Sequence, residues 1–178
     1  MNIFREYAQS SKNTFDILPI NKLINRYWNQ ELISVDPFSR NQKYATYTND
    51  LNPDTTADYH MDVLDFLKVM KSKNVGADIV FFDPPYSLRQ MKECYENIGN
   101  KITQRESQFF YGDVRNGIDE ILRPGGIVIS FGWNSIGMGK KRNYEILEIL
   151  LVCHGRAHND TICVVDKKST QLKLEGTQ

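Results

Sequence analysis

The run Ala77-Asp78-Ile79-Val80-Phe81-Phe82 stops abruptly at Asp83-Pro84-Pro85-Tyr86. Its apolar residues fall on both faces, as in a buried strand of a parallel sheet with helices on either side. The prolines end it, because a residue without an N–H cannot continue a central ladder. Three further β-prone runs flank it: Leu32 to Val35, Tyr44 to Thr48, and Gly126 to Phe131. Helical patterns alternate with them. Val63 to Lys73 carries a broad apolar arc, Leu88, Met91, Tyr95 and Ile98 mark a second helix, and Ile118, Ile121 and Leu122 a third that stops at Pro124. Ile146 to Cys153 and Thr161 to Val165, joined by a polar loop with a glycine, predict a closing antiparallel pair. The expected fold is α/β, a mainly parallel sheet with a C-terminal antiparallel hairpin. Ligands of such sheets lie beyond the carboxyl ends of the strands, and three of the four runs end there in an acid: Asp36, Asp50 and Asp83.

Length and charge narrow the function. The 178 residues suit a single domain, read as 1–178. Lys plus Arg (22) balances Asp plus Glu (22), so no broad positive field drives non-specific binding to nucleic acid. The longest apolar run is far below the roughly 20 residues of a membrane span, and the start MNIFREYAQSSKN has no apolar signal core. Three cysteines without CxxC spacing read as reduced thiols, and the expected location is the cytoplasm. His154 and His158 lie four apart with no third ligand in view, so no metal is expected.

Asp83-Pro84-Pro85-Tyr86 resembles the [D/N/S]-P-P-[Y/F/W] motif of the S-adenosylmethionine (SAM)-dependent amino-group DNA methyltransferases. The resemblance implies a Rossmann-like class I methyltransferase fold with SAM as cofactor. An exocyclic base amine is a poor nucleophile because its lone pair is delocalised into the ring. The resemblance implies that the Asp83 carboxylate and the Pro84 carbonyl accept its two N–H bonds, while Pro85 fixes the turn. Asp83 then faces the positive charge that grows on nitrogen, and Tyr86 stacks on a base flipped out of the helix. Read locally, the same four residues make a tight turn with a packed tyrosine.

The likeness spans about residues 15 to 165. Asp36-Pro37-Phe38-Ser39-Arg40 resembles the first SAM motif, usually D-P-F-x-G-x-G, but Ser39, Arg40 and Asn41 replace its glycine-rich turn. Arg40 is the candidate to hold the methionine carboxylate in their stead. Asn49 and Asp50 fall where the family binds the ribose hydroxyls, or form a solvated turn. Asp62 falls at the contact to the adenine amino group and is also suited to cap the following helix. Phe15 and Pro19 resemble the N-terminal segment that closes over the methionine end, or begin an amphipathic helix with core contacts.

Adenine N6 in DNA is the expected target, since aspartate at the first motif position is usual for adenine enzymes. RNA, a protein amide, or a non-catalytic SAM-binding or anti-restriction protein are the alternatives. The small size is similar to that of phage and prophage methylases that are little more than a catalytic core. DNA is the expected partner, held by Arg89, Lys92, Lys101 and Arg105 and by Lys140, Lys141 and Arg142, or by these side chains as a solvated charge run. The polar stretch Asn100 to Gln108 is expected to be mobile. With so few basic groups, a second protomer or a partner protein is expected to supply target recognition.

Overall fold

The computed structural model describes residues 1–99, 104–155 and 158–170; the side chains of 104–109 and of Lys140 lie outside the description. Seven strands form one sheet in the order β1-β6-β7-β5-β4-β2-β3. They are β1 Asn2–Tyr7, β2 Ser34–Asp36, β3 Tyr47–Thr48, β4 Ala77–Phe82, β5 Leu122–Gly132, β6 Tyr144–Cys153 and β7 Thr161–Lys168. All pairs are parallel except those of β7, which runs antiparallel between β5 and β6. The expected hairpin is therefore present, with its second strand inserted beside β5.

The double-sided pattern of β4 has its structural reason. Ile79 and Phe81 face α1 (Leu18–Tyr27), packing with Ile20, Leu23 and Ile24. Val80 and Phe82 face α2 (Val63–Ser72) and α4 (Gln104–Ile121), packing with Phe66, Leu67, Val114 and Ile118. The result is a helix–sheet–helix sandwich with an apolar core on each face of the sheet. Asp62 begins α2 by accepting the Leu64 N–H at 2.8 Å, and Ser87 begins α3 (Leu88–Asn97) by accepting that of Gln90. Glu148, buried on β6, accepts bonds from Arg26 and the Tyr27 hydroxyl and so ties the end of α1 to the sheet.

Three features depart from the sequence reading. Asn2–Tyr7 forms an edge strand along β6 with all six residues exposed, so burial left no alternating pattern to read. The third helix starts at Gln104, which makes Gln104 to Gln108 helical rather than a mobile loop; Asn100 to Thr103 lie outside the described residues. Pro124 does not stop that helix: α4 ends at Ile121, and Pro124 stands in β5 where the register against β4 shifts. Among the described residues no helix is long and apolar enough to cross a membrane.

Buried acids give this sheet a pH dependence. Asp166, on the face of β7 toward α4, is 1% exposed, and burial lifts its carboxyl to about 6, partly opposed by the Met138 N–H and the nearby Arg115. The folded protein thus holds this proton more tightly than the unfolded chain, whose aspartate titrates near ~3.9. The stabilising contribution is complete below ~4 and is lost as pH rises through about 6. Asp166→Asn should abolish that part of the slope, up to about 3 kcal/mol between pH 4 and 7. Urea unfolding of both proteins at several pH values measures it, and parallel pH curves would refute it.

Candidate active site

From β2 the chain steps outward to β3, then returns through α2 to β4 on the other side of β2. That reversal leaves a crevice at the carboxyl ends of β2 and β4, the usual ligand position in such sheets. A cleft of about 980 Å³ opens there, walled by the loops after β2, β3 and β4, by α3 and by Ser11 to Thr14.

Asp83, Pro84, Pro85 and Tyr86 form one wall. The Tyr86 hydroxyl donates to Asp83 Oδ1 at 2.7 Å, and the Thr14 hydroxyl stands beside the same pair. Burial raises the Asp83 carboxyl above the ordinary range, while these hydroxyls and the Arg40 charge pull it back. Burial likewise raises the Tyr86 phenol, with the Asp83 charge adding to it, so Tyr86 is a neutral donor. From α4 the Tyr111 hydroxyl donates to the Pro85 carbonyl at 2.6 Å and fixes the turn. Thr14 escaped the sequence reading because a lone threonine before an apolar run carries no spacing signal.

The loop after β2 performs its turn without glycines. Asp36 is buried, accepts the Phe38 N–H at 3.0 Å, and is raised well above the ordinary carboxyl range, chiefly by burial. Ser39 is buried too, and its N–H and hydroxyl both donate to the Asn49 carbonyl. Arg40 takes the left-handed conformation (φ 53°) that a glycine would adopt without strain. Its N–H donates to Asp50 Oδ2, and its guanidinium reaches the Lys12 carbonyl. Arg40 therefore ties the N-terminal segment across the cleft.

The other predicted cofactor residues separate into two groups. Pro37, Phe38, Arg40, Asn49 and Asp50 line the cleft. Asp36, Ser39, Phe15, Pro19 and Asp62 do not. Asn49, 1% exposed, is occupied in structure: its amide donates to the Pro37 and Met61 carbonyls and accepts from the Met61 N–H. Asp62 caps α2 and accepts the Tyr95 hydroxyl. A 3₁₀ turn, Thr14–Asp16, points Phe15 into the core against Phe81 and Phe131, and Pro19 lies in the first turn of α1. The segment that does reach the cleft is Ser11 to Thr14, just before the residues singled out.

The basic triplet is also displaced. The strand ladder pairs Gly132 with Ile162 at the active end of the sheet and Tyr144 with Lys168 at the other. Residues 133–143 thus descend the molecule, and Arg142 lies against the flank of α4, bonding Asn116 Oδ1 and the Gly112 and Met138 carbonyls. Its guanidinium is committed to holding this loop and is not a free phosphate ligand. Lys141 is exposed on the same descending segment. Arg89, exposed just after the turn of Asp83 to Tyr86, pairs with Glu93 on α3. His154 bonds the Ala8 carbonyl and the Thr161 hydroxyl.

The cleft has the chemistry an adenosyl ligand needs. Phe38, Val63 and Phe110 offer an apolar wall, and Arg40 and Lys12 stand toward the N-terminal segment. Each Asp50 oxygen accepts one backbone N–H, from Asn52 or Arg40, and so retains acceptor capacity for a diol. The family model of the D12 class N6 adenine-specific DNA methyltransferases matches residues 20–128. The chain belongs to that family. The matched stretch of this D12 chain runs from α1 into β5 and includes Asp36, Asp50, Asp62 and Asp83. No curated protein matches the chain at a significant level.

Solved structures give the fold of the D12 chain independent support. TrmN from Thermus thermophilus is 13% identical with a TM-score of 0.56, over 85% of this chain and 49% of that one. A Streptococcus mutans protein described as a SAM-dependent methyltransferase is 17% identical with a TM-score of 0.53, over 83% and 47%. SMU.776, complexed with SAH, is 16% identical with a TM-score of 0.50, over 75% and 44%. The chain thus spans about half the length of these structures. The fold is Rossmann-like, the family one of SAM-dependent methyltransferases.

Proposed function

We propose that this chain transfers the methyl group of SAM directly to the N6 amine of an adenine flipped out of DNA. The observation that carries the reading is the half-buried Asp83 carboxylate at the carboxyl end of β4, on the cleft shared with Phe38, Arg40 and Asp50. When bound, SAM supplies an electrophilic methyl on a sulfonium. Asp50 would hold its ribose, Phe38 its adenine and Arg40 its carboxylate. Asp83, with the Pro84 carbonyl, would accept the amine N–H bonds and draw nitrogen toward tetrahedral geometry. Asp83 then offsets the positive charge that nitrogen gains. Tyr86 now holds Asp83 Oδ1, so base entry must exchange that bond for one to the amine.

Transfer of tritiated methyl to unmethylated DNA, with RNA of the same sequence in parallel, tests the reading. Label in DNA at adenine N6 is the expected result. Label in RNA alone, or in neither, would overturn the DNA assignment. Formal charge is zero and Arg142 is occupied internally, so a lone protomer should bind DNA weakly and lose affinity steeply with salt. A second protomer or a partner protein would then supply site recognition. Sedimentation showing a monomer bound tightly to one short site at physiological salt would contradict that.

The cofactor side makes its own prediction. Asp50→Ala should raise the SAM dissociation constant tenfold or more, the size of one lost charge-assisted hydrogen bond of about 1.5–3 kcal/mol. Asp50→Asn retains an acceptor for one of the two loop N–H groups and should cost less. Calorimetry on both variants decides; equal affinity to the parent in folded Asp50→Ala would remove Asp50 from the cofactor site.

A further inference from the structure

Beyond the cleft, on the outer side of Tyr86, stands an aromatic residue that the methyl-transfer chemistry leaves unused. Trp133 follows β5, is 40% exposed, and meets the Tyr86 ring edge to face, centroids 5.7 Å apart at 73°. Tyr86 lines the cleft and Trp133 does not, so the tyrosine stands between cleft and indole. The perpendicular rings leave no parallel slot for a base between them. The exposed part of the indole is thus available to a different base from the one Tyr86 would receive.

The loop that presents Trp133 is anchored. Asn134 Oδ1 accepts the Ile136 N–H at 3.0 Å, and the Ile136 carbonyl accepts that of Gly139. Gly137, at φ 55°, packs so closely that a β-carbon there would come within 2.1 Å of Asp166. Arg115 donates to the Gly137 carbonyl, and Met138 is fully buried with its N–H on Asp166. An exposed aromatic on a braced loop loses little conformational entropy when it stacks, since loop and ring are already ordered. Ile136, 58% exposed, extends the apolar surface on the same loop.

We propose that Trp133 is a stacking platform for a nucleobase flanking the target adenine. The proposal rests on the reading of the chain as a nucleic-acid methyltransferase and adds a second base contact to it. Stacking compensates for a sparse basic surface, because every base offers a π face whatever the sequence.

The sequence has two tryptophans, and Trp28 is packed against Tyr44, so Trp28→Phe leaves Trp133 as the sole indole emitter. Titration with a short adenine-containing single-stranded DNA, and with the matching RNA, should quench that emission saturably. If Trp28→Phe folds poorly, the difference between parent and Trp133→Phe spectra reports the same signal. Trp133→Ala should raise the KM for nucleic acid about tenfold or more, with SAM affinity unchanged and Trp133→Phe largely restoring the parent value. Binding and methyl transfer with no emission change and an unaltered KM in Trp133→Ala would overturn the platform while leaving the methyltransferase reading intact. Failure of the parent protein to bind or methylate either nucleic acid would overturn both.

Discussion

Asp83→Ala should lower single-turnover methyl transfer by at least about 10²–10³-fold, the cost of removing one placed partner for charge that develops in a transition state. SAM binding should persist, because the predicted contacts to the cofactor come from Phe38, Arg40 and Asp50 on the other walls of the cleft. The comparison with Tyr86→Ala is informative. That substitution removes the hydroxyl that occupies Asp83 Oδ1 as well as the ring that would stack on the base. Tyr86→Phe removes only the hydroxyl and frees the carboxylate, so it should retain far more activity than Tyr86→Ala. If Asp83→Ala turns over at a near-normal rate, the carboxylate has no part in the chemistry and the reading of the catalytic turn fails.

The turn from Asp83 to Tyr86 was legible because three constraints coincide there. A strand buried on both faces, two prolines that end it, and a carboxylate between strand and prolines leave few architectures open. The position of Asp83 at the switch point followed from that pattern. The cofactor side was legible by place but not by side chain. Asp36, Ser39 and Asn49 stand in the two loops beside the crevice, yet their polar groups bond within and between those loops. A motif reports which loop reaches the ligand. It does not report which polar groups a loop uses to hold its shape, and here Arg40 takes the left-handed position that a glycine would otherwise fill.

The basic triplet was misplaced for a related reason. Its distance along the chain from β5 says nothing about direction, and β6 starts at the far end of the sheet because its partner β7 is antiparallel to β5. The edge strand β1 was missed because its exposed residues follow no alternation. Both failures concern non-local pairing, which a local hydrophobic pattern does not encode.

Phe15 gives the sharpest contrast between motif and fold, and the largest expected loss of stability. As a cofactor contact its removal would weaken SAM and spare the fold. The structure places it 2% exposed, its ring 5.6, 5.4 and 5.1 Å from those of Tyr44, Phe81 and Phe131. Removing such a ring from a packed core costs about 3–5 kcal/mol, through lost transfer free energy and the cavity left behind. At about 2–4 °C per kcal/mol for a domain of this size, Phe15→Ala should lower Tm by roughly 10 °C. Phe15→Leu fills most of the volume and should lose about half as much or less. Thr14 precedes it and stands beside Asp83 and Tyr86, so loosening this turn should also slow methyl transfer at temperatures where the variant remains folded. Thermal unfolding, with SAM titrated calorimetrically well below Tm, separates the two roles. An unchanged Tm with a raised SAM dissociation constant would place Phe15 on the cofactor and not in the core.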